Sequence, residues 1–542
     1  MQTNMSMPDR LTPNPAIQKS LRVAWKEGIP AAIMIGIMDY YVVPFGLFLH
    51  ASTQQIGWLV ALPHLLGAAS LLFTVKAVNL IGSRLRFIVR GTFLQASLLI
   101  PVASLALIRI PNQVTGLILF IIFYRMLFNL VGPPWGSLMS DYLPAHQRGR
   151  YFGSRSRVVG ASQVAGIILA GVTLFLTQPN PAVAPRPKAV CDTAVSSRWV
   201  GGCRPIGTEL PVPQAHPVGL LPAIGPTAEG MGPVRLLQRT GGRDVAPLEA
   251  ALSVPQAHPV GLHTPAVGFF LIFMFAASGR FLSSHYLTQM VDLPSRQTPQ
   301  SDFTFLMFIR RFRESNFVKF AFYVSSVLFT TFLAAPYFSV YMLRDLQFSY
   351  LSYMAIHVSG MTASFLAFPV WGRHADVVGN AKVLKTTGLL IPMIPFLWLI
   401  GRYPLYLMMV EMLSGFIWGG FNLSATNFIY DAVSSEKRVR CLGYFNLING
   451  VAMFAGAACG GWLGDRLPPL LGFRLLSLIM LSGLLRLLAH GTLACVFREV
   501  RATSRRISSM QLFFSVVGIR PLAGEARESI FGDWTKRPGC ST

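Results

Sequence analysis

Asp39, Arg125 and Glu411 stand inside apolar stretches long enough to cross a bilayer. A charge in hydrocarbon is costly unless it meets a partner, a cavity or water, so each of these groups requires a reason. Proton transfer and polar-ligand binding are the chemistries such groups perform. Asp39 lies mid-helix in the run Asp39-Tyr40-Tyr41 and is the first candidate for proton coupling, with static pairing to a neighbouring helix as the bland alternative. Arg125 shares a helical face with Asn129, Gly132 and Gly136, spaced by four, three and four. A guanidinium keeps its proton, so Arg125 must meet a carboxylate, and Asp39 is the expected one. A purely structural ion pair would satisfy the same requirement.

Glu411 lies on one face with Gly415, Trp418 and Asn422, near the outer end of its span, where it faces either a ligand or the wet interface. Tyr337 and Tyr341, at i and i+4, offer amphipathic rings to a polar or aromatic ligand and are equally suited to anchoring at the interface. Trp135, His64, His357, Gln163, Asn446 and Asn449 complete the candidate set; lone His and Asn side chains in a bundle commonly make interhelical hydrogen bonds. The six cysteines, scattered with no CxxC pair, indicate neither a disulfide framework nor a zinc site. No HExxH, no GxSxG on a plausible elbow and no paired catalytic Asp occurs, so an enzyme is not expected, nor is a cofactor or metal.

The elements that must position these residues are membrane helices. Hydrophobic residues make up 52% of the chain and charged ones 13%, which excludes a soluble domain of 542 residues. A bilayer core takes about 20 apolar residues per crossing, and twelve stretches meet that length. Six lie near Gly28 to Leu49, Ile56 to Val75, Phe87 to Ile108, Val114 to Leu138, Val158 to Leu176 and Ala266 to Met290. Six more follow near Val318 to Met342, Tyr350 to Val370, Val383 to Ile400, Leu405 to Tyr430, Cys441 to Leu463 and Phe473 to Val496. Both termini fall on the side of the basic clusters Lys76/Arg84/Arg86, Arg148/Arg150/Arg155/Arg157, Arg310/Arg311/Arg313, Lys382/Lys385 and Lys437/Arg438/Arg440. By the positive-inside rule that side is cytoplasmic. The same clusters absorb much of the formal charge of +24, which therefore points to anionic lipid and orientation rather than to nucleic acid.

The segments divide as a polar tail (1–24), a first half (25–177 with 264–294), an insertion (178–263), a linker (295–317), a second half (318–500) and a C-terminal tail (501–542). The insertion is rich in Pro, Gly and Ala and repeats VPQAHPVGL at Val212 to Leu220 and Val254 to Leu262, so it reads as a disordered outer loop of duplicated sequence, tolerated or disabling. The linker stretch Phe303 to Arg313 fits an amphipathic helix on the cytoplasmic leaflet, and Met510 to Val517 a short surface helix.

At a fixed offset of 290, Asp141 falls on Asp431, Arg148 on Arg438, Arg150 on Arg440, Gly153 on Gly443, Gly160 on Gly450 and Ala165-Gly166 on Ala455-Gly456. A second match places Asn79-x-x-Gly82 on Asp376-x-x-Gly379. The halves are parallel repeats, an arrangement found in secondary transporters. The segment Trp371-Gly372-Arg373-His374-Ala375-Asp376-Val377-Val378-Gly379-Asn380-Ala381-Lys382 resembles the G-x-L-A-D-R-x-G-R-R loop of the major facilitator superfamily. The resemblance extends over Trp25 to Arg501 apart from the insertion; in the first-half copy of the loop, Asn79 stands where that family has Asp.

The resemblance implies an all-α polytopic membrane protein of two parallel six-helix repeats, with helices 1, 4, 7 and 10 lining a central cavity. Arg125 loosely resembles the R-x-x-Q-G-x-G pattern of proton antiporters, with Phe128 and Asn129 replacing the Gln and first Gly, and no GPxxGG element appears in the fifth span. At the cytoplasmic ends Asp141, Arg148, Arg150, Arg373, Asp376, Asp431, Arg438 and Arg440 are the expected gate, breaking ion pairs as the halves part. The expected function is alternating-access transport of a small solute, coupled to protons and slightly favouring efflux of amphipathic compounds. Uptake of a sugar, organic acid or other nutrient is the alternative, and a transport-inactive sensor or scaffold the rival of another class. A monomer in contact with lipid, in a bacterial-type inner (plasma) membrane, is the expected state.

Overall fold

The computed structural model describes residues 14–143, 145–178, 265–293, 310, 314–433, 435–500 and 509–516, with the side chains of 145–150 and 435–440 outside the description. The inserted loop, the expected linker helix apart from Arg310 and most of the C-terminal tail lie outside the described residues. The described helices belong to one compact unit. Eleven helical stretches among them are long and apolar enough to cross a membrane.

The first half consists of α1 (Pro15–Phe48), α2 (Thr53–Ser70), α3 (Thr74–Ile81), α4 (Arg84–Ser104), α5 (Gln113–Tyr142), α6 (Ala145–Leu176) and α7 (Pro265–Thr288). The second consists of α8 (Asn316–Phe332), α9 (Ala335–Val340), α10 (Tyr350–Val378), α11 (Asn380–Leu390), α12 (Met393–Leu397), α13 (Pro404–Ala432), α14 (Ser435–Gly464) and α15 (Arg474–Leu493). The short pair α2 and α3 forms one span through the 3₁₀ turn Leu71–Phe73. The ninth expected span is α11 and α12, interrupted at Ile391–Pro392, where proline supplies no N–H to continue the helix. The seventh is also discontinuous: α8 ends at Phe332, α9 carries Pro336 in its first turn, and a π-helical turn follows over Tyr341–Asp345.

Helix starts follow local chemistry. Ser52 caps α2 through a capping box with Gln55, and Ser83, Ser315 and Ser349 accept from the third helical N–H of α4, α8 and α10. The loops after the second and eighth spans each end on a glycine of positive φ, Gly82 at 73° and Gly379 at 89°. That conformation favours glycine, which explains why both matched loops keep one. The first helix begins thirteen residues before the expected span, because the polar segment from Pro15 continues the same helix beyond its apolar stretch.

Lipid offers no hydrophobic drive for one helix to join another, so close approach depends on small residues. The glycines matched at offset 290 do equivalent jobs in both halves. A Cβ added at Gly166 would lie 2.4 Å from the Ile33 carbonyl of α1, and one at Gly456 would lie 2.3 Å from the Phe329 carbonyl of α8. These two fix the fifth span on the first and the eleventh on the seventh. Gly160 and Gly450 instead work across the seam between halves, where an added Cβ would meet Phe365 of α10 at 2.6 Å and Ala68 of α2 at 2.3 Å. The halves therefore join through α6 with α10 and α2 with α14.

The seam is tied at the end remote from the basic clusters. Arg344 donates to Thr53 at 3.0 Å, and Tyr337, Gly57 and Gly461 converge beside it. The C-terminal segment forms α16 (Ser509–Val516), one residue offset from the expected helix; rather than lying free, it buries Leu512 and Val516 against Trp371 and Ala375 of α10. Ser515 reaches the buried ring of His374 at 3.0 Å.

Candidate functional site at the seam between the halves

Asp39 lies nine residues before the end of α1, roughly 14 Å down the helix. Arg125 lies twelve residues into α5, roughly 18 Å down from the same end of the molecule. Their side chains meet at 3.1 Å, with 34% of Asp39 and 25% of Arg125 accessible, so the pair borders an open space at the depth of the hydrocarbon. Gly67 of α2 makes room for it: an added Cβ would lie 3.0 Å from Arg125 Cγ and 2.5 Å from Asn129 Nδ2. Farther along the face of Arg125, Cβ atoms at Gly132 and Gly136 would meet nothing within 4 Å. The face is thus open toward the basic end, while the seam is tied at the other.

The second half approaches the same point through α10. The ring of Tyr40 lies edge-on to His357 with centroids 5.0 Å apart, and its hydroxyl is 3.9 Å from Met361 Sδ. Tyr353 packs on the other side of His357 at 4.5 Å and donates to the Tyr40 carbonyl at 2.7 Å. His357 Nε2 is buried and has no hydrogen-bond partner among the described residues. A buried polar atom left unpaired calls for an explanation, and a bound polar group is one. Glu411 of α13 lies against Gly360 of α10, within electrostatic reach of the buried Arg486 and of Tyr40. A carboxylate–guanidinium pair, two tyrosines, an unsatisfied imidazole and a second carboxylate therefore gather around one midplane seam. Such a set can exchange a proton at a carboxylate and hold a partly aromatic, partly polar molecule.

Residues 320–534 match the sequence model of the Major Facilitator Superfamily. The match covers the second half of the chain. Superposition on solved structures extends the likeness to the first half. The nucleoside transporter NupG superposes with TM-score 0.57 at 11% identity, covering 90% of this chain and all of its own. A D-xylose-proton symporter gives 0.55 at 13% identity over 90% of this chain and all of its own, and a bacterial homologue of the iron transporter ferroportin, in an inward-facing state, gives 0.53 at 12% over 88% and 98%. At these identities the likeness shows the fold. No curated protein matches the sequence.

In this fold several expected site residues take other positions. Tyr337 is buried and donates to the Ala457 carbonyl at 2.8 Å, and Tyr341 packs on Trp398 and Phe473. Tyr337 stands in the short α9 and Tyr341 opens the π-helical turn, and both are fully buried. Asn449 accepts from Ser325 inside the second half, and Trp135 lies beneath the Arg155 guanidinium at 4.4 Å. The backbone carbonyl of Gln163 lies against Gly36, the ring of His64 sits edge-on to Phe332 across the seam at 5.1 Å, and Trp418 packs on Phe421. Asn422 and Asn446 are exposed. Glu411 is half-buried, with its side chain against Gly360 of α10.

Two acids of the expected gate each contact their own half. Asp141 pairs with Arg84 of its own half at 2.7 Å, and Asp431 accepts from Asn380 of its own half at 2.7 Å. These equivalent contacts tie the fourth span to the start of the third and the tenth to the start of the ninth. Arg373 and Asp376 are exposed at the basic end, and the side chains of Arg148, Arg150, Arg438 and Arg440 lie outside the described residues.

Sequence reasoning missed the most buried charge cluster among the described residues. Glu27 of α1 meets Arg155 of α6 at 3.1 Å and Arg280 of α7 at 3.9 Å, and accepts from Ser283 at 3.0 Å. Arg280 continues to Gln95 of α4 at 2.7 Å, and Arg155 to the Ala24 carbonyl. Arg280 was a visible signal, an arginine within an apolar span. Glu27 fell one residue outside the expected first span, and Arg155 among the loop basics.

Proposed function

We propose that this chain is a proton-coupled secondary transporter that moves a small amphipathic compound by rocking its two halves about the Asp39–Arg125 site, with export as its direction. It works as a monomer in the plasma membrane with the basic loops on the cytoplasmic side. The observation carrying this reading is an accessible ion pair at hydrocarbon depth, across the seam from His357, whose Nε2 has no hydrogen-bond partner among the described residues. Protonation of Asp39 would remove the partner of Arg125, and a guanidinium that cannot lose its own proton must then find water or cargo. One proton taken up at Asp39 therefore changes what the site can bind. The amphipathic class follows from the rings of Tyr40, Tyr353 and His357 beside two carboxylates, which offer apolar faces and polar contacts together.

The test is lumenal pH in proteoliposomes challenged with pools of cationic drugs, sugars, organic acids and amino acids. Proton movement opposite to cargo, tied to the drug pool and lost in Asp39→Asn, is the expected result. Movement of proton and a sugar or organic acid in the same direction would instead make the protein a nutrient symporter. Intact coupling in Asp39→Asn, or silence from folded protein across all pools, would overturn the reading.

A further inference from the structure

A groove of about 820 Å³ runs along the lateral face where α6 of the first half meets α10 and α13 of the second. Its walls are almost wholly apolar, with Ile168 from one half and Met354, Met408 and Met412 from the other. Methionine surfaces adapt to flexible apolar partners. The volume lies within the range of ordinary ligand sites. Both α10 and α13 are long and apolar enough to cross a membrane, and almost nothing in the groove wall can hydrogen-bond, so an occupant must satisfy its own polar groups. An alkyl chain does so, and a peptide strand or water-borne solute does not.

Two features continue the groove toward the basic end. Val516 of the docked helix α16 closes part of that side. Leu366, 71% exposed in the groove wall, is followed seven residues later by exposed Arg373. Seven residues return a helix to the same face, about 10 Å farther along. Arg373 has no hydrogen-bond or ion-pair partner among the described residues, and a guanidinium recognises phosphate with a planar fork of donors.

We propose that this groove holds one acyl chain of an anionic phospholipid whose phosphate is bound by Arg373. The site has a wall in each half, and it stands independently of proton coupling at Asp39. The experiment reconstitutes the full chain in phosphatidylcholine vesicles doped with phosphatidylglycerol carrying a diazirine in its acyl chain, and maps adducts by peptide mass spectrometry. A parallel sample carries the same diazirine on phosphatidylcholine. Adducts concentrated on the groove segments of α10 and α13, about fivefold more abundant for phosphatidylglycerol, are expected, since one basic side chain near an anionic headgroup has that leverage. Arg373→Gln is expected to bring the phosphatidylglycerol yield down to the phosphatidylcholine yield. Labelling equal for the two lipids, or no greater in the groove than on the exposed Leu119 and Phe123 of α5, overturns the proposal. Met412→Trp, which fills the groove, should remove the adducts; if that variant does not fold, the comparison of lipids on the unaltered chain decides alone.

Discussion

The hydroxyl of Tyr353 donates to the backbone carbonyl of Tyr40 at 2.7 Å, joining the two halves one residue away from Asp39. The same hydroxyl lies 3.1 Å from Ser339, so one side chain links α10, the seventh span and α1. Removing it should loosen the tied end without touching the ion pair. With one hydrogen bond contributing about 1 kcal/mol, Tyr353→Phe is expected to raise the population open at that end roughly fivefold. Spin labels at Ser52 and Gln347, on the loops of the tied end, would show it as growth of a longer distance; an unchanged distribution would remove Tyr353 from the latch.

The Asp39–Arg125 pair makes a prediction with two separable parts. Arg125→Gln leaves a carboxylate without its partner and should lower both thermal stability and transport. Adding Asp39→Asn removes the orphaned charge, so the double variant should regain stability but not proton-coupled transport. Melting curves together with pH flux test both; recovery of coupling in the double variant would show that the pair is architecture alone.

Glu27 has an architectural part in a different place. It is 4% exposed and faces the buried Arg280 and the half-buried Arg155, so Glu27→Gln leaves both cations without this carboxylate. Loss of one partner from a buried pair costs about 3–5 kcal/mol. Thermal unfolding of purified protein should drop further for Glu27→Gln than for Asp39→Asn, whose pair is partly accessible. The reverse order would mean that water reaches the Glu27 cluster.

Two glycines of the second half should respond oppositely to the same methyl group. At Gly415 an added Cβ would sit 1.9 Å from the Gly360 carbonyl and force α10 from α13, an overpacking that costs about 1–3 kcal/mol. At Gly443 it would meet nothing within 4 Å, and the gain in helix propensity is about 1 kcal/mol. Melting temperatures of Gly415→Ala and Gly443→Ala, measured side by side, check the packing of α10 on α13; equal effects would contradict it.

Apolar run length and internal matches in the sequence were enough to determine the membrane helices and the parallel repeat. Span length and the exclusion of charge from hydrocarbon act locally, and repeated glycines report close contacts through identity alone: Gly166 and Gly456 each meet a carbonyl of the partner helix. It also pointed Arg125 at Asp39, since a guanidinium at that depth has few carboxylates to choose from. The tertiary structure decided which helical face turns inward. Tyr337 and Tyr341 keep perfect helical spacing, yet both end fully buried against neighbouring helices, while His357 and Tyr353, with no distinguishing pattern, arrive beside Tyr40. Glu27, Arg155 and Arg280 are far apart in the chain and meet only because three helices converge. Spacing along a helix defines a stripe, and only the packing of all the helices decides what that stripe faces.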